Sequence, residues 1–374
     1  MLARCFPLGC LILCLALPYP APACSLCGSL SSSRSIIYEY QEASMVAYGA
    51  LANPRLGIDG KGTTEFHIEK IVKTDPSSSL AKKLILAQYL PVLDPKTPPR
   101  WVMFFHATKD GPVPYWGREL PSPAALEFAS GVLQHSAKPD AMLLFASKHF
   151  DDADSTVADE SFLMFAKADD KTVARVANHI SPVSLRKLTK SPSIEPERLS
   201  MFAYLLGACG NADDAELLRS LLLAKSSRHY KAYEGILAGY ITLRPKEGWA
   251  FTEQHIADPK TEFLVRYAAM RTLRFFYNAR PEETGTQVMR GWSLALKQPD
   301  VADVAINDLR KFKRWEFTRE VLKLYDLPGS QSPIVRGSIE RYAIACPLAE
   351  ARPLVEQLRK KNPDLVKELE ADLK

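Results

Sequence analysis

Two cysteines stand at a C-x-x-C spacing in the stretch PAPACSLCGS, Pro20 to Ser29. That spacing serves thiol–disulfide exchange, half of a tetrahedral metal site, a lipid anchor on the first cysteine, or a local disulfide. Covalent haem attachment needs His directly after the second cysteine, and Gly28 stands there. Zinc asks for a second Cys pair or a His pair, and none is near. Thiol redox motifs sit where a helix N-terminus lowers the first thiol's pKa, whereas Cys24 and Cys27 directly follow an apolar leader. Lipidation favours a large apolar residue three positions before the cysteine, where this chain has Ala21. The expectation is a Cys24–Cys27 disulfide, with lipidation of Cys24 as the competing state. A thiol-dependent redox or metal accessory role for Cys24 and Cys27 is the enzyme-like alternative.

Three other clusters carry chemically useful groups. Glu65, His67 and Glu69 alternate along one strand face and offer metal-ligand atoms, but the solvated face of an antiparallel sheet alternates in the same way. HFDDAD, His149 to Asp154, concentrates acids ahead of an apolar helical run, where capping of free N–H groups explains them better than calcium. DLRKFKRWEFTRE, Asp308 to Glu320, interleaves Arg310, Lys311, Lys313 and Arg314 with Phe312, Trp315 and Phe317. Its aromatic spacing reads as the buried stripe of a helix, leaving Arg310, Lys311, Lys313 and Arg314 as a candidate basic patch for a partner. Cys209 and Cys346 fall in apolar helical runs and read as small core residues. His106 closes the run WVMFF, with no nucleophile paired to it by the sequence. No P-loop, dinucleotide fingerprint, nucleophile elbow or H-E-x-x-H motif occurs, so no catalytic residue, cofactor site or metal site is assigned. The chain is read as a non-enzymatic protein without a cofactor.

These groups must be placed by the rest of the chain. Residues 1–23 have one positive charge at Arg4, an apolar run from Cys5 to Leu17, helix-breaking Pro18 and Pro20, and small residues at Ala21 and Ala23. This is the pattern of a signal peptide cleaved after Ala23. It implies export to a periplasmic, cell-surface or secreted location, with a lipoprotein as the variant. No later run reaches the ~18 apolar residues of a membrane span. The charge of +5, from 48 basic and 43 acidic residues, is too mild to indicate nucleic acid. A hydrophobic fraction of 47% is enough for a sizeable core.

Period-two alternation marks SMVAYGALA (44–52), TTEFHIEKIVKT (63–74), KKLILAQYL (82–90), RWVMFFHAT (100–108) and VPYWGRE as strands. A short helix over 30–42 precedes them, and NPRLGIDGKG reads as a loop. In TTEFHIEKIVKT, Phe66, Ile68 and Val72 are expected on one face. From Pro121 the signal is helical. Val157, Leu199, Tyr233, Val265, Val304 and Val335 recur at steps of 42, 34, 32, 39 and 31 residues, as in a stack of helix pairs. The chain ends in helices with Leu365, Val366, Leu369 and Leu373 inward.

Two resemblances follow. V-R-x-x-A-x-x-x-L at Val265 to Leu273 and V-R-x-x-I-x-x-Y-A at Val335 to Ala343 resemble the second helix of a HEAT repeat, which implies an α-solenoid. A cysteine at position 24, a short helix, and strands at SMVAYGAL, TTEFHIEKIVKT, KKLILAQYL and RWVMFFHA resemble the netrin-like OB barrel of tissue inhibitors of metalloproteinases. That resemblance implies a barrel, and as a further alternative a protease-inhibitor-like module at Cys24. The inhibitors begin C-x-C, where this chain has C-x-x-C. The fold class is therefore α+β and multidomain: a signal peptide at 1–23, a small OB-like β-barrel or sandwich at 24–120, and a HEAT-like helical domain at 121–374, with a non-repeating helical bundle as the alternative to the solenoid. The function read from this layout is an exported scaffold that binds a protein or peptide, without nucleic acid.

Overall fold

The alternating segments form strands in a computed structural model that describes residues 24–26, 33–58, 60–74, 81–109, 111–224, 226–328 and 332–372. Residues 1–23 and Cys27 lie outside it, and with them the leader, Ala21, Ala23 and the Cys24–Cys27 pairing. A short helix, α1 (Ile36–Glu42), leads into β1 (Met45–Leu56), β2 (Gly62–Lys73), β3 (Lys83–Leu86), β4 (Arg100–Thr108) and β5 (Gly111–Glu119). They pair antiparallel in the order β3-β2-β1-β4-β5.

The expected barrel does not close. β3 is only four residues long, and β5 carries Pro112 and Pro114, which have no N–H to give a neighbour. The edges β3 and β5 instead flank a cleft of about 570 Å³ lined by Leu86, Leu90, Trp101, Met103, Tyr115 and Trp116. β1 also runs on through Asn53-Pro54-Arg55-Leu56, read from the sequence as loop. Asn53 takes a left-handed φ of 47°, and the register shift between Ala52 and Arg55 absorbs the irregularity. Two further shifts lie between Val46 and Ala47 and between Tyr48 and Gly49. They change the facing of β2, so Phe66 and Ile68 share the outer apolar cluster while Val72 packs on the helical side.

The helices that follow are α2 (Ala124–Leu133), α3 (Pro139–Ala146), α4 (Ser155–Lys167), α5 (Asp170–Ala177), α6 (Pro182–Lys190), α7 (Pro196–Cys209), α8 (Ala212–Leu223), α9 (Ser227–Leu243), α10 (Pro245–Ala257), α11 (Phe263–Ala279), α12 (Pro281–Ala295), α13 (Ala302–Lys311), α14 (Thr318–Lys323), α15 (Pro333–Ala345), α16 (Arg352–Lys361) and α17 (Pro363–Asp372). Proline starts many of them, because its missing N–H is harmless in a first turn and its fixed φ is already helical. Arg244-Pro245 and Arg280-Pro281 make the same one-residue hairpin turn. The proline ends one helix and begins the next.

The arrangement is helical-repeat-like. α7, α9, α11, α13 and α15 pack in chain order, each followed by a partner helix. The periodic positions fall on α4 and on those five: Val157, Leu199, Tyr233, Val265 and Val335 are buried and Val304 is partly so. The long first step of 42 residues arises because both α5 and α6 lie between Val157 and Leu199. Ion pairs join successive hairpins: Arg266 with Asp300, Arg274 with Asp308 at 2.7 Å, and Arg271 with Glu234 at 3.0 Å. One apolar core runs unbroken from Val46, Val102 and Phe104 of the sheet into the helices. At the far end Val366 and Leu369 are buried and Leu365 is half-buried, while Leu373 lies outside the described residues. Among the described residues no helix is long and apolar enough to cross a membrane.

Candidate functional site

Cys24 does not sit on the sheet. It is 2% exposed and lies against the helices, with its backbone N–H donating to the Ala166 carbonyl at 3.3 Å. The next N–H, of Ser25, donates to Asp170 Oδ1 at 2.9 Å, and Arg271 donates to the Ser25 carbonyl at 3.1 Å. Asn278 Nδ2 donates to the other oxygen of Asp170 at 3.2 Å. Burial pushes the Asp170 carboxyl above its ordinary range, against hydrogen bonds from Ser25, Asn278 and Cys24. Glu234, which receives Arg271, is likewise raised by burial, with the guanidinium opposing.

Glu160 ties down the same leading segment further along. It is 1% exposed and accepts from Ser35 Oγ at 2.6 Å, Ile36 N–H at 3.0 Å and Ile37 N–H at 3.4 Å. A carboxylate on α4 therefore caps α1, whose own Ser35 makes no side-chain cap. Burial raises the Glu160 carboxyl, and the donors from Ile36, Ser35 and Ile37 oppose the rise. These two buried acids anchor the chain start to the helices. A buried carboxylate is also a poor neighbour for a thiolate. An inhibitor ridge would present the Cys24 amine and carbonyl outward, and a lipid would need a path from Sγ. In this conformation Cys24 is enclosed.

The other predicted groups separate. Glu65 bonds His67 at 2.8 Å, Asn53 at 2.9 Å and Lys83 at 3.2 Å, which together hold its carboxyl down at about 2. Glu69 turns to Arg100 at 3.1 Å, so the trio does not converge. In HFDDAD, Asp154 caps α4 by accepting from Thr156 and Val157, Asp152 pairs with His149, and Asp151 pairs with Lys187. His106 stacks on Tyr115 with ring centroids 3.9 Å apart. Cys209 donates to the Leu205 carbonyl, and burial pushes its thiol up to about 11. Cys346 is buried.

The basic segment assembles in part. Arg310 and Lys311 end α13, and Lys313 takes a left-handed φ of 55° in the turn that follows. Arg310, Lys311, Lys313 and Trp315 line a cleft of about 550 Å³ whose apolar wall is Ile344 and Ala345 of α15. The acid lining it, Glu370, is bonded by Arg359 at 2.8 Å. Arg314 leaves the group: it pairs with Glu316 and donates to Tyr277 Oη at 3.3 Å. Phe312 packs on Tyr277 and Trp292, and Phe317 is buried, as the aromatic spacing requires. Arg310 Nε is buried without a hydrogen-bond partner among the described residues. Burial, and after it the charge of Arg341, push its pKa down.

No protein-family model, curated protein or solved structure matches this chain. Its site assignments therefore rest on its own geometry. Sequence reading missed Glu160 and Asp170, because an acid within a helix (Glu160) or in its first turn (Asp170) reads as solvated until its distant partners are in place.

Proposed function

We propose that the chain is an exported, non-enzymatic scaffold whose HEAT-like helical hairpins bind a protein partner along one edge of the stack. The sheet, read as an open form of an OB-like barrel because β1 to β4 keep the expected order, serves as a fixed abutment. The observation that carries the reading is a set of exposed apolar side chains where the chain enters α9, α11 and α15. Leu223 ends α8 ahead of α9; Phe263, Leu264 and Tyr267 begin α11; Ile334 begins α15, and Leu327 lies in the connection before it. These entries adjoin one another. Tyr230 at the start of α9 donates to Glu262 ahead of α11 at 3.2 Å, and Arg266 of α11 pairs with Asp300 ahead of α13. A helix entry facing only water favours caps and acids, whereas exposed apolar groups gathered along one edge suit an association surface. Extended surfaces of this kind suit stacked hairpins better than a deep pocket does. The reading is tested with a photo-crosslinking residue at Phe263 or Ile334 in the exporting cell, with Ile71 on the sheet as control. A discrete partner adduct from the helical positions alone supports it; equal labelling from Ile71 contradicts it.

A further inference from the structure

The basic cleft lies at the opposite ends of the same helices. We propose that it binds an acidic peptide segment of a protein, with carboxylates on Arg310, Lys311 and Lys313 and an apolar side chain on Trp315 and Ile344. Arg310, Lys311 and Lys313 gather three cations in the lining of one cleft, and Arg310 Nε has no acceptor among the described residues. The nearby acids are occupied elsewhere: Asp308 by Arg274 at 2.7 Å and Glu370 by Arg359 at 2.8 Å. Cations gathered in one cleft are complemented by oxyanions, and a carboxylate matches the guanidinium fork. The dipole at the end of α13 accounts for Arg310 and Lys311. It does not account for Lys313, which follows the helix in a left-handed conformation.

The lining selects among anions. Half of the wall is apolar, which a free tetrahedral oxyanion would not use. Single-stranded nucleic acid is held by successive exposed aromatic platforms. Here Phe312 and Phe317 are committed to the core, and Trp315 is left to face the cleft. An acidic peptide with an apolar residue satisfies both walls.

The test is fluorescence anisotropy on the full chain with a labelled peptide of alternating Glu and Asp around one Phe. Its Gln/Asn counterpart, inorganic phosphate and an oligothymidylate are the comparison probes. The acidic peptide should bind, and the amide version should not. Lys311→Glu with Lys313→Glu, both exposed, should weaken binding by about tenfold or more while melting with the wild type. Arg310→Met should weaken it as well. Binding of the amide peptide with equal affinity overturns the proposal, as does charge reversal without effect. Displacement of the peptide by phosphate or oligothymidylate at the peptide's own concentration also overturns it. Helices of this length separate the cleft from the apolar edge by roughly 15–20 Å. Failure here therefore leaves the edge-binding reading standing, and the crosslinking result is independent of it.

Discussion

Replacing Glu160 by Ala should destabilise the protein by about 3–5 kcal/mol, through the loss of one side chain that serves three donors. Ser35 Oγ, Ile36 N–H and Ile37 N–H all point at it, and Ser35, Ile36 and Ile37 are themselves buried. Each buried donor left without an acceptor costs roughly 1–3 kcal/mol, and losing the carboxylate's own desolvation cost offsets part of the total. Glu160→Gln keeps one acceptor, and the Ser35 hydroxyl can rotate to accept from the new amide, so its cost should be about 1–2 kcal/mol. The pH dependence has a defined sign. The folded carboxyl lies above its ordinary range. Its contribution is therefore full below the unfolded value of about 4.3 and is lost as pH rises through the raised folded value. Wild type should thus gain on Glu160→Gln as pH is lowered from about 7 toward 4.5, within that linkage window. Urea unfolding at both pH values measures the gap, and hydrogen exchange at Ile36 to Tyr40 reports whether α1 loosens. An Ala variant within about 0.5 kcal/mol of wild type, the scale of an ordinary surface substitution, would refute the capping argument.

Two helical glycines should respond to Ala with opposite signs. A Cβ at Gly235 of α9 would stand 1.9 Å from the Ser200 carbonyl of α7, so Gly235→Ala should cost at least about 2 kcal/mol despite its better helix propensity. Gly285 of α12 has open space around its Cβ position, so Gly285→Ala should stabilise by about 0.5–1 kcal/mol; thermal melts of the pair check both signs. Arg274→Met strands the buried Asp308 carboxylate and should cost about 3–5 kcal/mol, and adding Asp308→Asn should recover part of it in a double-mutant cycle.

Much of the chain's local structure was legible. Alternation located all five strands because half-buried antiparallel strands print their two faces in sequence, and apolar recurrence located α4, α7, α9, α11, α13 and α15. What was not legible depended on backbone irregularity or on distant partners. The shifts opposite Val46 to Gly49 reversed Val72, and Asn53 extended β1 through an apparent loop. Barrel closure depends on pairing between strand edges, which no single strand's pattern specifies; a four-residue β3 and a proline-bearing β5 leave it open. For the candidate sites, charge clustering found Arg310, Lys311 and Lys313. It also included Arg314, which the turn at Lys313 directs toward Tyr277 and Glu316. The seat of Cys24 was hidden because Ala166, Asp170, Arg271 and Asn278 come from helices far along the chain.

If the apolar helix entries form a partner-binding edge, a partner must lie against them in the cell. The most direct measurement is site-specific photo-crosslinking from Phe263, Leu264 and Ile334 in the exporting cell, read against the same positions flanked by Tyr267→Glu. The account predicts one protein adduct shared by the three positions and lost with Tyr267→Glu, while the purified chain keeps its melting temperature. Adducts only between copies of the chain, or labelling unaffected by Tyr267→Glu, would contradict it.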